Sequence, residues 1–228
     1  MIFMHDIKRI ADVKPFQKPQ DSIFSYYITR KISQVITYLF VRFWPAVTPN
    51  MVSVISFFLA VVACILLIFP GYWWRFAGAV LLQLSFAFDC SDGEVARITN
   101  LSSKFGAWLD SVFDRFKEIM MFGAMTAYWY TYQQTSVWVI VVGAGAIIGL
   151  LLVSYLREAK KSSWPTTRTS EIFISKNVYI GTVDVTIYLV SLAVVVNLEY
   201  VALWIFLLVS IPLVLKQLSS AYRLSQRG

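Results

Sequence analysis

Charge is scarce in this chain. Only 14% of its 228 residues are Asp, Glu, Lys or Arg, against about 25% in an ordinary soluble domain, while 58% are hydrophobic. With a mean hydropathy of +0.65, that shortfall argues against a water-soluble globule and for the bilayer as solvent. Histidine is nearly absent, and His5 alone, close to the N-terminus, cannot build a histidine metal cluster. Cys64 and Cys90 lie far apart, in or beside apolar runs. They read as small buried hydrophobes, not as a disulfide or a zinc site. Met1 to Lys18 is polar and basic without an apolar core, so no cleavable signal peptide is expected. Acids are outnumbered, 13 against 20 bases, for a net charge of +7. No basic stretch interleaved with aromatics accompanies that excess, so nucleic acid is not an expected partner; anionic lipid headgroups are.

What the chain has is apolar runs. Six approach the roughly 20 residues a bilayer crossing takes: Val52–Phe69, Trp74–Val95, Phe105–Tyr130, Val137–Leu156, Tyr179–Val196 and Val201–Tyr222. The expected fold is all-α and integral to the membrane, one bundle of six transmembrane helices over residues 48–228. Residues 1–21 form a leading segment on the cytoplasmic side. Residues 22–47 hold an amphipathic helix lying along the interface, because Phe24, Tyr27, Ile28, Ile32, Ile36 and Leu39 recur at helical spacing among Arg30, Lys31 and Arg42. Thr48-Pro49-Asn50 breaks the chain and opens the first span. Of the 20 Lys and Arg, only Arg75 falls on the side of the 70–74, 131–136 and 197–200 turns. Both termini and the two longer loops are therefore expected in the cytoplasm. Trp73, Trp74, Tyr128, Trp129, Tyr130, Tyr132, Trp138 and Tyr200 gather at the opposite ends as an aromatic belt. Gly143, Gly145 and Gly149, inside the fourth span, read as points of close helix packing.

The chemistry concentrates where span two gives way to span three. Asp89 and Asp92 are three apart near the end of one, and Asp110 and Asp114 four apart near the start of the next, so each pair projects from one helix face. Antiparallel spans with a short connection can bring all four carboxylates into one pocket. From Phe76 to Asp89 a helix rises roughly 20 Å, which puts Asp89 in the cytoplasmic third of the hydrocarbon core. Acids at that depth need pairing, hydration or metal. One or two divalent cations would relieve their repulsion, two being the expected count, and all-oxygen ligation selects Mg²⁺ or Mn²⁺. Ion pairing with Arg97, Lys104, Arg115 or Lys117 is the simpler account of the same acids. Gly93 and Gly106 weigh for a ligand, since each lets another group approach the backbone, and Arg97 is placed to hold a phosphate.

These residues also form a pattern, D-x2-D-G-x2-A-R-x8-G-x3-D-x3-D, filled without substitution by Asp89, Asp92, Gly93, Ala96, Arg97, Gly106, Asp110 and Asp114. In this the chain resembles the CDP-alcohol phosphotransferases, and the resemblance extends to the six spans, the amphipathic lead-in and the Thr-Pro-Asn start. It implies transfer of a phosphoalcohol from a CDP-alcohol donor to an alcohol or phospho-alcohol acceptor with release of CMP, by a homodimer in the membrane. It further implies that Asp89, Asp92, Asp110 and Asp114 hold metal, with Asp114 also the general base. Asp92, Gly93, Ala96, Arg97 and Gly106 would serve the CDP group.

The acceptor is less defined. A loop with Arg157, Lys160, Lys161, Arg168 and Lys176 would bind an acceptor phosphate, or act only as a positive-inside determinant touching lipid. Asp184, some way into span five, would hydrogen-bond a polyol hydroxyl, cap a neighbouring helix or pair with a base. Lys18-Pro19-Gln20-Asp21-Ser22, with Ser25, Arg30 and Ser33, is similar to the lead-in of family members handling inositol phosphate. Val183, Asp184, Val185 and Thr186 stand where that subgroup would carry arginines, so phospholipid synthesis from CDP-diacylglycerol stays open beside it. From another class, a divalent cation transporter would also use intramembrane carboxylates, but the acids lie near one face and no inverted repeat is visible.

Overall fold

Helix start and stop signals set the frame of the computed structural model, which describes residues 7–164 and 172–226. Thr48 accepts from the Met51 amide and Pro49 takes the first helical position, opening α2, Pro49–Ile68, as expected of a cap followed by proline. Gly71, at φ 116°, turns the chain into α3, Tyr72–Thr99. Asn100 ends that helix in the left-handed conformation, with the Leu101 amide returning to the Ala96 carbonyl. Ser103 then caps α4, Lys104–Tyr128, by accepting from the Gly106 amide. A tight loop thus joins the two helices that carry the aspartates. A π-helical turn, Trp129–Gln133, extends α4. Ser136 caps α5, Val137–Ser163, and α6, Thr182–Val195, and α7, Glu199–Ser225, complete the bundle.

Ahead of α2 lie a 3-10 helix over Ile10–Phe16, a π-helical turn over Ser25–Thr29 and α1, Arg30–Phe43. A small sheet of β1, Asp21–Ser22, β2, Ile172–Ser175, and β3, Val178–Ile180, has the order β1-β3-β2. β2 and β3 form an antiparallel hairpin, and β1 pairs in parallel with β3 through Asp21 opposite Val178 and Ser22 opposite Tyr179. Tyr179 and Ile180, expected in a fifth span starting at residue 179, belong instead to this strand, and α6 begins at Thr182.

Among the described residues, three helices are long and apolar enough to cross a membrane: α2, α5 and α7. α3 and α4 have the length, at 28 and 25 residues, but carry the charged motif, and the apolar part of α6 is shorter, 183–195. One core joins α2 to α7 around Leu67, Phe122, Met125, Val190, Leu203 and Phe206, and a second, around Val13, Val41, Val52, Val95 and Ile98, seats the N-terminal region on α3. α1 turns Arg30, Ser33 and Thr37 inward and leaves Ile32, Val35, Leu39 and Phe43 exposed. At the far end of the bundle Arg75 is buried. It pairs with Glu199, donates to Tyr128 Oη and Asn197 Oδ1, and sits 4.0 Å from the Tyr128 ring centroid.

The glycines of α5 are contact points. A Cβ on Gly143 would meet Thr126 Oγ1 on α4 at 2.0 Å, and one on Gly149 would meet Ser210 Oγ at 2.1 Å and Ser210 Cβ at 2.6 Å on α7. Ser210 cannot easily yield, since its hydroxyl donates to the Leu207 carbonyl and its Cβ is fixed to the backbone. Gly149→Ala is expected to destabilise the bundle by about 1–3 kcal/mol through overpacking. Gly123→Ala, where nothing lies within 4 Å, serves as the control. Thermal unfolding in detergent separates them; equal midpoints would show that α5 and α7 can part without cost.

Candidate active site

Two serines on α2 prepare the site. Ser56 donates to the Ser85 carbonyl at 2.9 Å and Ser85 returns a bond to the Ser56 carbonyl at 2.8 Å, which fixes α3 against α2 one turn before Asp89. One turn the other way, Ser53 Oγ donates to Asp92 Oδ2 at 2.5 Å. Across the Asn100–Ser103 loop, α4 presents Asp110. Asp89, Asp92 and Asp110 each bring one carboxylate oxygen to within 4.8 Å of the others. Such a group repels itself unless a cation intervenes. Lys117 supplies one charge by pairing with Asp89 Oδ1 while also donating to Ser56 Oγ at 2.9 Å. The ion-pair reading thus holds for Asp89. It does not extend to Asp110, whose Oδ1 is buried with no hydrogen-bond partner, a position that an oxygen-loving divalent ion would satisfy.

Asp114 lies outside the trio but lines the same cavity of about 590 Å³. It pairs loosely with Arg115, whose Nη2 is 3.9 Å from Asp114 Oδ2 and which is engaged more closely with Glu118 at 2.6 Å. Gly93, Ala96, Arg97 and Gly106 line the cavity beside the aspartates. A Cβ on Gly93 would rest 3.6 Å from the Arg97 guanidinium nitrogens, an ordinary contact. Gly106 is more constrained, since a Cβ there would meet Asn50 Oδ1 at 2.9 Å and Ser103 Oγ at 3.1 Å; its missing side chain first serves the α2 and α4 starts. Arg97 Nε donates to the Phe16 carbonyl and Nη2 is buried without a partner.

The cavity lining also carries bases. Arg157, Lys160 and Lys216 are among its lining residues, and Lys160 Nζ donates to Gln217 Oε1 at 2.7 Å. Arg168 lies outside the described residues. Asp184 also lines the cavity, yet its carboxylate is engaged as a cap. Oδ2 accepts from the Phe24 and Ser25 amides at 3.2 and 3.3 Å, and Oδ1 from the Val185 amide at 2.8 Å. The sequence reading passed over Ser53, Ser56 and Glu94, and it named Asp21 and Arg30 only as part of the lead-in, not as partners in a buried set with Glu94. The two serines were legible as polar residues three apart in an otherwise apolar run. Glu94 was visible inside the motif but falls on one of its unspecified positions.

Residues 46–214 match the family model for CDP-alcohol phosphatidyltransferases. The chain belongs to this family. Among relatives of this CDP-alcohol phosphatidyltransferase-family chain, the bifunctional IPC transferase and DIPP synthase of Aquifex aeolicus is 33% identical over 145 residues, 63% of this chain and 31% of that protein. The phosphatidylinositol phosphate synthase of Corynebacterium glutamicum is 35% identical over 120 residues, 51% of this chain and 52% of that protein. The chain therefore spans about a third to a half of the length of these curated relatives. A crystal structure of Mycobacterium tuberculosis phosphatidylinositol phosphate synthase with CDP-DAG bound superposes with a TM-score of 0.67 at 20% identity, covering 85% of this chain and 94% of that one. The likeness establishes the shared fold. A second structure of that enzyme, in complex with manganese and citrate, gives a TM-score of 0.65.

Proposed function

We propose that this family member is a membrane phosphotransferase that moves a phosphoalcohol from a CDP-alcohol to an acceptor hydroxyl and releases CMP. The observation that carries the reading is the convergence of Asp89, Asp92 and Asp110 within 4.8 Å at one wall of a cavity that also holds Asp114 and Arg97. A carboxylate-only donor set and the unpartnered Asp110 Oδ1 fit two Mg²⁺ or Mn²⁺ ions, held by Asp89, Asp92, Asp110 and Asp114. Bound there, such ions supply neutralisation of the diphosphate and of the departing CMP. The protein's own residues do the rest. Arg97 pairs with the diphosphate through the guanidinium face that Phe16 leaves unused. Asp92, Gly93, Ala96 and Gly106 shape the cytidine side. Asp114 takes the proton of the acceptor hydroxyl as its oxygen bonds to phosphorus and the bond to CMP breaks.

Arg157 and Lys160, joined by Lys216, suit an acceptor bearing phosphate. Asp184 shapes this side of the cavity through the backbone it caps, and Arg168 is placed by sequence in the adjoining loop. The named relatives support both an inositol-type phospho-alcohol and a CDP-diacylglycerol donor. We read α2 to α7, within residues 48–228, as six spans. Residues 22–47 then lie in the interface, and residues 1–21, both termini and the site face the cytoplasm. Support comes from α1, which exposes Ile32, Val35, Leu39 and Phe43 together with Lys31 and Arg42, the apolar and basic mix that suits a helix lying at the headgroup boundary. Burial of Arg75 also removes the one base that opposed the charge bias. Exposed Trp73, Trp74 and Trp138 at the other end suit a headgroup-level belt. The family resemblance supports a homodimer.

The test is CMP release by purified protein in detergent with Mg²⁺, offering CDP-diacylglycerol or CDP-inositol with a panel of acceptor alcohols and their phosphates. One productive pair is expected, and it names the substrates. No CMP from any pair, together with nucleotide-independent metal flux in vesicles, would replace the reading with transport.

A further inference from the structure

Glu94 is the most enclosed acid of the motif helix, with no exposed surface, yet it faces away from the aspartates and takes no part in the chemistry above. Its oxygens are fully engaged. Oε1 accepts from Ser33 Oγ at 2.7 Å, Arg30 Nη1 at 3.0 Å and Gln17 Nε2 at 3.2 Å, and Oε2 accepts from Thr37 Oγ1 at 2.6 Å. All four donors come from the N-terminal region. Arg30 extends the set by donating through Nε to Asp21 Oδ2 at 2.6 Å and through Nη1 to the Cys90 carbonyl at 3.1 Å. A buried carboxylate without such donors would be costly, and a fully satisfied polar network in a low-dielectric interior fixes one arrangement.

The arrangement it fixes reaches the cavity. Gln17 is held twice, by Glu94 and by the Arg30 carbonyl at 2.9 Å. Its neighbour Phe16 offers the carbonyl that takes Arg97 Nε. Glu94 and Arg97 are three apart on α3, one turn along the same face. Arg97 Nη2 stays buried and unpartnered beside Gly93. A guanidinium is planar, so fixing Nε also sets the plane in which the other nitrogens point.

We propose that Glu94 is a positioning residue for the donor: through Gln17 and the Phe16 carbonyl it sets the plane of the Arg97 guanidinium that receives the diphosphate. The inference rests on the phosphotransferase reading and adds to it that the segment before α1 is part of the nucleotide site. Ser33 and Gln17 both bond Glu94, but only Gln17 leads on to Arg97.

The experiment compares Gln17→Ala, Ser33→Ala, Arg97→Ala and the Gln17→Ala/Arg97→Ala pair, with calorimetric binding of CDP in the presence of Mn²⁺ and, separately, Mn²⁺ binding by electron paramagnetic resonance. Gln17 is only partly buried, so its loss leaves the fold standing; Glu94→Gln is added as the direct variant. Gln17→Ala is expected to weaken CDP about tenfold, the size of one hydrogen bond to a charged group, with Mn²⁺ affinity unchanged. Ser33→Ala should leave CDP affinity unchanged, and Gln17→Ala should add nothing once Arg97 is gone. Glu94→Gln should follow Gln17→Ala if it folds. Equal CDP affinity in Gln17→Ala and the unaltered protein, or full additivity with Arg97→Ala, would reduce Glu94 to a structural role. Unaltered protein that binds Mn²⁺ but no CDP would instead overturn the phosphotransferase reading, and this proposal with it.

Discussion

Asp110→Asn is expected to lower CMP formation by more than about 10³-fold while leaving the metal-free protein at least as stable as before. The two halves follow from one geometry. Asp110 Oδ1 is buried without a partner, so the substitution breaks no bond of that atom within the protein. It also removes one of three carboxylates whose oxygens lie within 4.8 Å of each other, and with it like-charge repulsion that Lys117, paired directly with Asp89, offsets only in part. In the presence of metal the balance reverses. Loss of an outer-shell partner already costs about 10–100-fold in metal affinity, so loss of a direct ligand should cost more than about 100-fold. Thermal unfolding with and without Mn²⁺ reads this directly. A ligand at a hundred times its dissociation constant stabilises by about 2.7 kcal/mol, and that increment should vanish in the variant. Turnover within tenfold of the unaltered protein would remove Asp110 from the metal site.

The motif was legible because helical spacing alone puts Asp89 with Asp92 and Asp110 with Asp114, and the short Asn100–Ser103 connection leaves the two faces nowhere else to go. The start of α2 was legible for a similar reason, a Thr-Pro cap being a local signal. What escaped was set by distant chain segments. β1 pairs with β3 across more than 150 residues, and no local period announces a two-residue strand. Tyr179 and Ile180, apolar and followed by more apolar residues, read as the start of a span because the partners that make them a strand are Ser22, far off in the chain, and Phe173 and Ile172 of β2. Asp184 read as an acid some way into a span, with a cap as one of three options, because the segment that decides among them is equally distant. Its partners are the amides of Phe24 and Ser25, which turn it into a cap at the first turn of α6. α1 shows the reverse case. Its amphipathic period was plain, but that its polar side is the buried one depends on Glu94 waiting on α3 to receive Ser33, Thr37 and Arg30.

Asp114→Asn should part company with Asp110→Asn in one respect that identifies the base. Asp114 lines the cavity but is not among the three carboxylates that meet within 4.8 Å, and Lys117 on the following turn is committed to Asp89. Asparagine keeps the shape and an oxygen that can still face an ion, so Mn²⁺ affinity is expected to stay within about tenfold of the unaltered protein, inside the range of outer-shell changes. It cannot accept a proton. A positioned general base contributes about 10²–10⁴-fold, and kcat should fall by that amount or more with little change in the donor's KM. Steady-state CMP release at saturating Mn²⁺, paired with Mn²⁺ binding by electron paramagnetic resonance, gives both numbers on the same preparation. Equal losses of metal and turnover would make Asp114 as strong a metal ligand as Asp110 and leave it no separate role as base, and substantial turnover would move the base elsewhere. Among the described residues lining the cavity, Asp21 and Asp184 are the other carboxylates outside the trio. The first is held by Arg30 and the second by three backbone amides, so neither is as free as Asp114 to take a proton from an acceptor.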